Sequence, residues 1–239
     1  IFRLPLKANL VTNSIVVSCE DSNFDSKNTF PYQIVVGATN ASGIKGSYST
    51  AGSSIWVSAP GGEYGQDYST YGYPAMLTTD QSGCDKGYSL FTATSSYFNR
   101  GLYGNGLCNY TNSMNGTSSA APVTSGVIAL MLEANPSLTW RDVKHILAST
   151  TSYPDAFSTP AYFTLGDSWY YGSYVARQGW TQNAAGYWFH NYYGFGRINA
   201  KAAVDMARTY TAGQLGSYKT TGKVTNPYYL NSLIPDKSI

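Results

Sequence analysis

The stretch NGTSSAAP, from Asn115 to Pro122, contains the residues of this chain whose types and spacing could do chemistry. Ser118 stands between a Gly-Thr turn and a long apolar run that begins at Val123, which predicts a hydroxyl in the first turn of a helix. Unpaired backbone N–H groups and the positive end of the helix dipole favour negative charge there. A nucleophilic Ser118 would therefore have its own N–H available for an acyl-transfer oxyanion.

The same hydroxyl also has a purely structural interpretation. Ser and Thr often cap helices, so Thr117 or Ser118 could do no more than accept a backbone hydrogen bond. Gly116 would permit close approach of a substrate, and Pro122 is tolerated in the opening turn of a helix. Spacing by itself therefore leaves the nucleophile and the cap equally open.

Short apolar runs predict the strands that would position this serine. YQIVVGAT (Tyr32 to Thr39) and SSIWVSAP (Ser53 to Pro60) are rich in β-branched residues and are stopped by Gly, Asn or Pro, which is typical of buried strands. PAMLTTD (Pro74 to Asp80) is a shorter β-like run inside a long loop between residues 61 and 115. A loop of that length in a compact domain indicates function.

Three helices are predicted after the serine. VTSGVIALMLEA (123–134) is apolar on nearly every face, which favours a helix buried through the middle of a domain. SLTWRDVKHILAST opens with a capping box between Thr139 and Asp142, and Asn199 to Tyr210 forms the third helix. Strands mixed with helices, one of them buried, predict an α/β fold with a mostly parallel sheet covered on both faces.

The composition argues against two classes of partner. Charged residues make up 12% of the chain, the net charge is +2, and Lys and Arg are scattered. We therefore expect no nucleic-acid partner and no anionic membrane surface. The low charge and the abundance of Gly and Tyr, 24 and 22 residues, favour a secreted or periplasmic protein.

Three cysteines, Cys19, Cys84 and Cys108, form no CxxC pair that would indicate zinc or a redox motif. Cys84 and Cys108 flank a loop rich in Gly, Tyr, Ser and Asn that a crosslink would stabilise. A disulfide between them is favoured, and it would leave Cys19 free. Three reduced, buried thiols are the alternative.

GTSSAAP resembles the nucleophile motif of the subtilisin-like serine proteases, Gly-Thr-Ser-x-Ala-x-Pro, at every fixed position. YSTAGSSIWVSAPGG, TTDQSGC, LEANPSLTWRDVKHIL and YGFGRINAKAAVDMA resemble further segments of that family, most closely in its kexin and furin branch. The resemblance implies part of a three-layer α/β fold whose buried central helix starts at the nucleophile. Residues 1–210 would be the C-terminal portion of a catalytic domain, and 211–239 a linker toward a following domain.

The resemblance implies a serine endopeptidase that forms an acyl-enzyme on Ser118 and cleaves peptides or proteins after basic residues, with a propeptide or chaperone as partner.

The family's triad runs Asp, His, Ser along the chain, but both histidines here, His145 and His190, follow Ser118. The mechanism needs an imidazole to take the serine proton. We therefore expect this chain to be inactive alone, with the triad Asp and His upstream of Ile1. The alternative is a catalytically dead peptide-binding module.

The acidic stretch CEDSNFDSKN, residues 19–28, resembles a segment that lines the specificity pocket and helps to hold calcium in the kexin branch. The resemblance assigns Asp25 to substrate binding, through a charge-assisted contact with Arg or Lys. Glu20 and Asp21 fit a solvated loop equally well. A structural calcium ion is implied without assignable ligands, since Thr50 stands where relatives carry a calcium-binding Glu.

Overall fold

The computed structural model describes residues 22–65, 74–93, 96–164 and 173–217. Two 3₁₀ turns, Ser22–Phe24 and Ser26–Thr29, precede the first strand. The strands are β1 (Val35–Thr39), β2 (Ile55–Pro60), β3 (Met76–Thr79), β4 (Tyr110–Met114), β5 (Ala161–Thr164), β6 (Ser173–Arg177), β7 (Thr181–Gln182) and β8 (Trp188–Phe189). The helices are α1 (Thr117–Ala134), α2 (Trp140–Thr150) and α3 (Ala200–Thr209).

β1 and β2 form a parallel pair, as their apolar runs predicted. Three further pairs, β3 with β4, β5 with β6 and β7 with β8, are antiparallel. Within the described ranges the expected parallel sheet is therefore this one pair, and α1 packs directly on it. The sequence predicted β3 but not β4 to β8, because the residues of those strands neither form an apolar, β-branched run nor alternate between apolar and polar.

Small side chains let α1 approach the parallel pair closely. Ala38 on β1, Ala59 on β2 and Ala120 on α1 are fully buried and form one apolar cluster. None of the three has a side chain larger than a methyl group, so the helix backbone can lie near the strands. This contact sets the position of the first turns of α1.

The larger apolar core lies where α1, α2 and α3 meet beside β2. Met131, Ile146 and Leu147 are completely buried in it. The predicted capping box is confirmed, since Thr139 accepts from the Asp142 N–H and the Asp142 carboxylate accepts from the Thr139 N–H. The core thus fixes α2 against α1 and holds α1 from its C-terminal half.

One face of α1 is exposed, although its sequence is apolar nearly all round. Leu130 is 50% and Leu132 38% exposed, whereas Val127 and Met131 on the opposite face are buried. The apolar pattern of α1 predicted that this face is buried, but it did not indicate which part of the protein covers it. The described residues cover one side of the helix.

A disulfide between Cys84 and Cys108 closes the loop that joins β3 to β4, with the two sulfurs 2.04 Å apart. The predicted pairing is confirmed, and Cys19 lies outside the described residues. The described part of residues 74–114 is called the loop module below. Its last strand, β4, ends at Met114, four residues before Ser118.

After α3 the chain turns back onto α2. The Gly213 N–H donates to the Asp142 carboxylate at 2.9 Å, and Arg141 donates to the Gly216 carbonyl at 2.8 Å. The start of the predicted linker therefore lies against the helix, and residues 218–239 lie outside the described ranges. None of the described helices is both long enough and apolar enough to cross a membrane.

Candidate active site

Ser118 is the second residue of α1, and it is exposed. Gly116 precedes the helix with φ 110° and ψ 169°, a conformation that side-chain-bearing residues rarely adopt. No side chain caps this end of α1. The interpretation of Thr117 or Ser118 as a helix cap is therefore wrong, and in the described part of the chain the Ser118 N–H has no acceptor.

Backbone contacts with the end of β2 hold the turn before Ser118. The Gly116 N–H donates to the Gly61 carbonyl at 3.1 Å. A Cβ added at Gly61 would lie 2.6 Å from Ala38 Cβ and 2.9 Å from the Gly116 carbonyl oxygen. Only glycine fits between β1 and this turn, so the closeness of the two segments depends on Gly61.

A cavity of about 580 Å³ opens beside Ser118. The first turn of α1 and the start of β1 form its walls, and the 3₁₀ turns contribute Asp25 and Asn28. The volume lies in the range of small-molecule sites, large enough for a long side chain. The structure thus brings Ser118 and Asp25, the two residues that the sequence assigned to the site, into one cavity.

Asp25 supplies the carboxylate of this cavity lining. Its Oδ1 accepts a hydrogen bond from the Lys27 N–H at 2.9 Å, which caps the second 3₁₀ turn. Its Oδ2 has no partner among the described residues. That oxygen is free to accept a charge-assisted hydrogen bond from a guanidinium or an ammonium group. Glu20 and Asp21 fall outside the described ranges.

Tyr48 lines the cavity on the side of β1. Its hydroxyl lies 2.8 Å from the Gly61 carbonyl oxygen and 2.7 Å from that of Gly62. Burial raises the pKa of Tyr48, so the phenol stays protonated and acts as a donor. Tyr48 therefore fixes the backbone that holds Gly116. No motif in the sequence assigns a role to Tyr48.

Neither histidine lines the Ser118 cavity. His145 on α2 has its Nδ1 3.0 Å from the Tyr187 hydroxyl and borders a separate aromatic groove. His190 is 1% exposed, and its Nδ1 accepts from the Tyr192 N–H. Burial, with the positive charge of Arg177, lowers the pKa of His190 to about 4. In the described structure, neither imidazole is placed to take the Ser118 proton.

The described residues do not fit the calcium site that the resemblance implies. Thr50 lines the cavity at the position of the expected Glu, and Asp25 is the only carboxylate of the lining. Calcium takes six to eight oxygen ligands, several of them usually carboxylates, and the cavity lining contains a single carboxylate. Across the described ranges, no group of three or more His, Cys, Asp and Glu side chains could hold a metal ion.

Comparisons with known proteins agree with these motifs. The model of the subtilase family matches residues 18–196. An extracellular serine protease of Aeromonas sobria is 42% identical over 204 residues, which are 83% of this chain and 31% of the relative. A human proprotein convertase, subtilisin/kexin type 6, is 33% identical over 173 residues, which are 66% of this chain and 16% of the relative.

A solved structure supports the same relationship. The Aeromonas sobria serine protease in complex with the chaperone has a TM-score of 0.72 and 40% identity, over 81% of this chain and 32% of that chain. This chain therefore spans about a third of the length of the Aeromonas relatives that it matches. Because the family model covers most of the sequence and the nucleophile motif lies at the leading turn of α1, the chain belongs to the subtilase family.

Proposed function

We propose that this chain supplies the nucleophile and part of the substrate-binding cavity of a serine endopeptidase, with Ser118 forming the acyl-enzyme. The observation that carries this proposal is an exposed serine in the uncapped first turn of α1, opening on a cavity that contains a carboxylate. A helix cap would need a side-chain hydrogen bond to the first turn, and none is present there.

In the proposed reaction Ser118 Oγ attacks the carbonyl carbon of the scissile peptide bond. The Ser118 N–H and the positive end of the α1 dipole stabilise the negative oxygen that forms. The C–N bond then breaks, and the amine leaves with the proton that the serine gave up. Water attacks the resulting ester, which returns Ser118 to its starting state and releases the carboxylic acid.

An imidazole must carry the proton in both steps. The two histidines of the sequence are His145 and His190, and neither lines the cavity. We therefore assign the base, its orienting Asp and a second oxyanion donor to residues outside these 239. The chain on its own is expected to show no measurable peptide cleavage.

The test compares the 239-residue chain with the full-length protein. The full-length protein should cleave a fluorogenic peptide ending in Arg and should be labelled by a fluorophosphonate at Ser118, whereas Ser118→Ala should do neither. The chain alone should not turn the peptide over. Rapid, Ser118-dependent turnover by the chain alone would contradict the assignment of the base to other residues.

We also assign Asp25 to the recognition of a basic side chain entering the cavity. Its free Oδ2 supports this role, because a charge-assisted hydrogen bond to Arg or Lys is worth about 1.5–3 kcal/mol. Asp25→Asn should lower kcat/KM for such substrates on the order of tenfold to a hundredfold and affect neutral substrates less. Asp205 is an exposed residue of α3 that does not line the cavity. Asp205→Asn removes the same charge and should leave kcat/KM unchanged.

A peptide-binding module without catalysis is the second candidate. Neither histidine is part of the cavity lining, which favours this candidate, since the cavity and Asp25 would still serve for binding. The two functions differ in the full-length protein. Binding of an Arg-containing peptide without labelling of Ser118 would support the module, and labelling at Ser118 would support the endopeptidase.

The relatives support three further proposals for the whole protein. The extracellular relative from Aeromonas sobria supports secretion, and the solved complex with the chaperone supports a chaperone or propeptide partner. The similarity to proprotein convertases supports the kexin-type preference for basic residues. Structural calcium stays a proposal for parts of the protein other than the described residues.

A further inference from the structure

Two charged side chains, Lys45 and Glu63, bind one short turn next to the site. Lys45 and Glu63 are the only charged residues between Lys27 and Asp67 in the sequence. Both side chains form hydrogen bonds with residues 46–49. An isolated lysine and an isolated acid in so neutral a stretch indicate a specific role for each charge.

The ammonium group of Lys45 is surrounded by backbone carbonyl oxygens of this turn. Its Nζ lies 2.9 Å from the Gly46 oxygen, 2.7 Å from that of Ser49 and 3.4 Å from that of Ser47. The Tyr192 ring centre lies 5.2 Å away. An ammonium group has three donors, and each is taken by one carbonyl. Lys45 thus donates hydrogen bonds to three carbonyl oxygens that converge on one positive charge, as they would around a bound metal ion.

Glu63 binds the same turn through Ser47. It is 6% exposed, and its Oε1 accepts from the Ser47 N–H at 2.7 Å while its Oε2 accepts from the Ser47 hydroxyl at 2.9 Å. The peptide groups of the turn therefore direct their oxygens at a cation and the N–H of Ser47 at an anion. This arrangement stabilises one conformation of the turn, because any other would leave a buried charge without its partners.

Two hydrogen bonds connect the turn to Gly116, two residues before Ser118. Tyr48, inside the turn, donates to the Gly61 carbonyl oxygen at 2.8 Å. The same oxygen accepts from the Gly116 N–H at 3.1 Å. Gly116 is the residue before α1. A shift of Tyr48 would therefore move the Gly61 carbonyl, and with it the turn that presents the Ser118 hydroxyl and N–H.

We propose that Lys45 is a positioning residue for the Ser118 site. Its ammonium group serves as the internal cation of turn 46–49. Together with Glu63 it fixes the position of Tyr48, and through Gly61 and Gly116 the position of Ser118. This inference deepens the proposed function and rests on it only for the role of Ser118 as nucleophile. Among the described residues no cluster of metal-ligating side chains is present, and the carbonyl oxygens of this turn accept hydrogen bonds from Lys45.

The first test measures backbone amide chemical shifts in the isotope-labelled 239-residue chain. Lys45→Met should shift the amides of Gly61, Gly116 and Ser118. Lys144→Met is the matched control, since Lys144 also donates to two backbone carbonyls, at 3.0 and 3.1 Å, and lies 4.0 Å from the Trp56 ring centre, away from the cavity. A Gly116 shift as large in Lys144→Met as in Lys45→Met would overturn the proposal.

The second test uses cation rescue, which a residue that merely fills space would not show. Lys45→Ala leaves the three carbonyls and a space, so methylammonium chloride should raise its thermal midpoint more than it raises that of the unaltered chain. Lys45→Met fills the space with a methyl group and should show no such gain. Equal responses of the two variants would show that the carbonyls do not form a cation site. Should Lys45→Ala not fold, Ser47→Ala tests the same turn from the Glu63 side through the Gly116 amide shift.

The third test separates this inference from the proposed function. In the full-length protein Lys45→Met should lower kcat, on the order of tenfold, and change KM less, because a small displacement of the reacting groups affects the transition state most. Equal loss in Lys45→Met and Lys144→Met would contradict positioning by Lys45. Shifted Gly116 amides in a protein whose Ser118 never reacts would instead overturn the proposed function and leave the positioning contacts intact.

Discussion

The apolar core and the loop module are built from opposite kinds of side chain. In the core, the buried residues that join α1, α2 and α3 are apolar, with Met131, Ile146 and Leu147 at full burial. In the described part of the loop module, the buried side chains are polar apart from Cys108, and both hydrophobic clusters lie outside it. Its large apolar residues are exposed instead, among them Tyr88 at 79%.

Amide side chains hold the loop module together from within. Buried Asn105 donates to the carbonyls of Phe98 and Tyr110 and accepts from the Tyr110 N–H. Buried Asn99 accepts from the Asn112 N–H at 3.0 Å. These bonds satisfy backbone groups that a loop without regular structure would leave unpaired. The disulfide then supplies the stability that an apolar interior would otherwise provide.

The apolar core and the loop module together position Ser118. The apolar core fixes α1, and therefore the direction of its dipole at Ser118. The loop module delivers β4, which ends at Met114 and passes straight into the Gly116 turn. Ser118 therefore lies where the apolar core meets the disulfide-crosslinked loop module. We expect damage to the core to unfold the whole chain and damage to the module to remain local.

The largest expected effect comes from a truncation in the apolar core. Met131→Ala should lower the free energy of unfolding by about 2–5 kcal/mol, because it removes a fully buried side chain and leaves a cavity. Urea unfolding followed by circular dichroism measures the loss. A change below about 1 kcal/mol would show that α1 is not held by this core.

Removal of the disulfide should have the next largest effect, and a local one. Cys84→Ser with Cys108→Ser opens a crosslink between residues 24 apart, which the chain-entropy model values at about 3 kcal/mol. Hydrogen exchange should show lost protection in the loop module and unchanged protection in α2 and α3. Simultaneous loss in both regions would mean that the two regions unfold as one unit.

Acid should loosen the loop module before the core. Burial acts against the charge of Asp80, but the backbone N–H groups of Ser89, Gln81 and Tyr88 outweigh it and lower its pKa. A lowered carboxyl pKa gives stability that is present above the unfolded value, about 4, and is lost as the pH falls through the folded value. The protection factor of the Ser89 amide, which compares its exchange with that of an unfolded peptide at the same pH, should therefore fall on the order of tenfold as the pH drops below about 4.

Asp80→Asn is the control for this acid effect. The side-chain amide of this variant cannot ionise, so the protection factor of the Ser89 amide should be low already at neutral pH and should no longer change with acid in this range. The amides of Ile146 and Leu147 in the apolar core should be the same in both proteins. An acid response that persists in Asp80→Asn would assign the loosening to another group.

The smallest effect is expected on the other face of α1. Leu130→Ala should change the free energy of unfolding by less than about 0.5 kcal/mol, since Leu130 is 50% exposed. Leu130 adjoins Met131 in sequence, so the pair compares two faces of one helix under the same unfolding assay. A loss as large as that of Met131→Ala would show that the exposed face is covered in solution.

Local patterns predicted much of this fold. The apolar runs of β1 and β2, the capping box at Thr139 and the nucleophile motif at Ser118 each lie within a few consecutive residues. The short strands β5 to β8 could not be predicted in this way, because pairing with a neighbour stabilises them more than their own composition does. The cap interpretation of Ser118 failed for a related reason, since the Gly116 conformation depends on Gly61 and β1.

The sequence by itself determined that a serine would stand at the start of a long apolar helix, and it favoured a disulfide between Cys84 and Cys108 that the structure then confirmed. Only the tertiary structure decided that Asp25 shares a cavity with Ser118, that both histidines lie elsewhere, and that Lys45 and Glu63 bind the same turn. Periodicity and motifs report interactions between residues close along the chain. Contacts between distant residues depend on how the elements pack, and shape and burial set that packing.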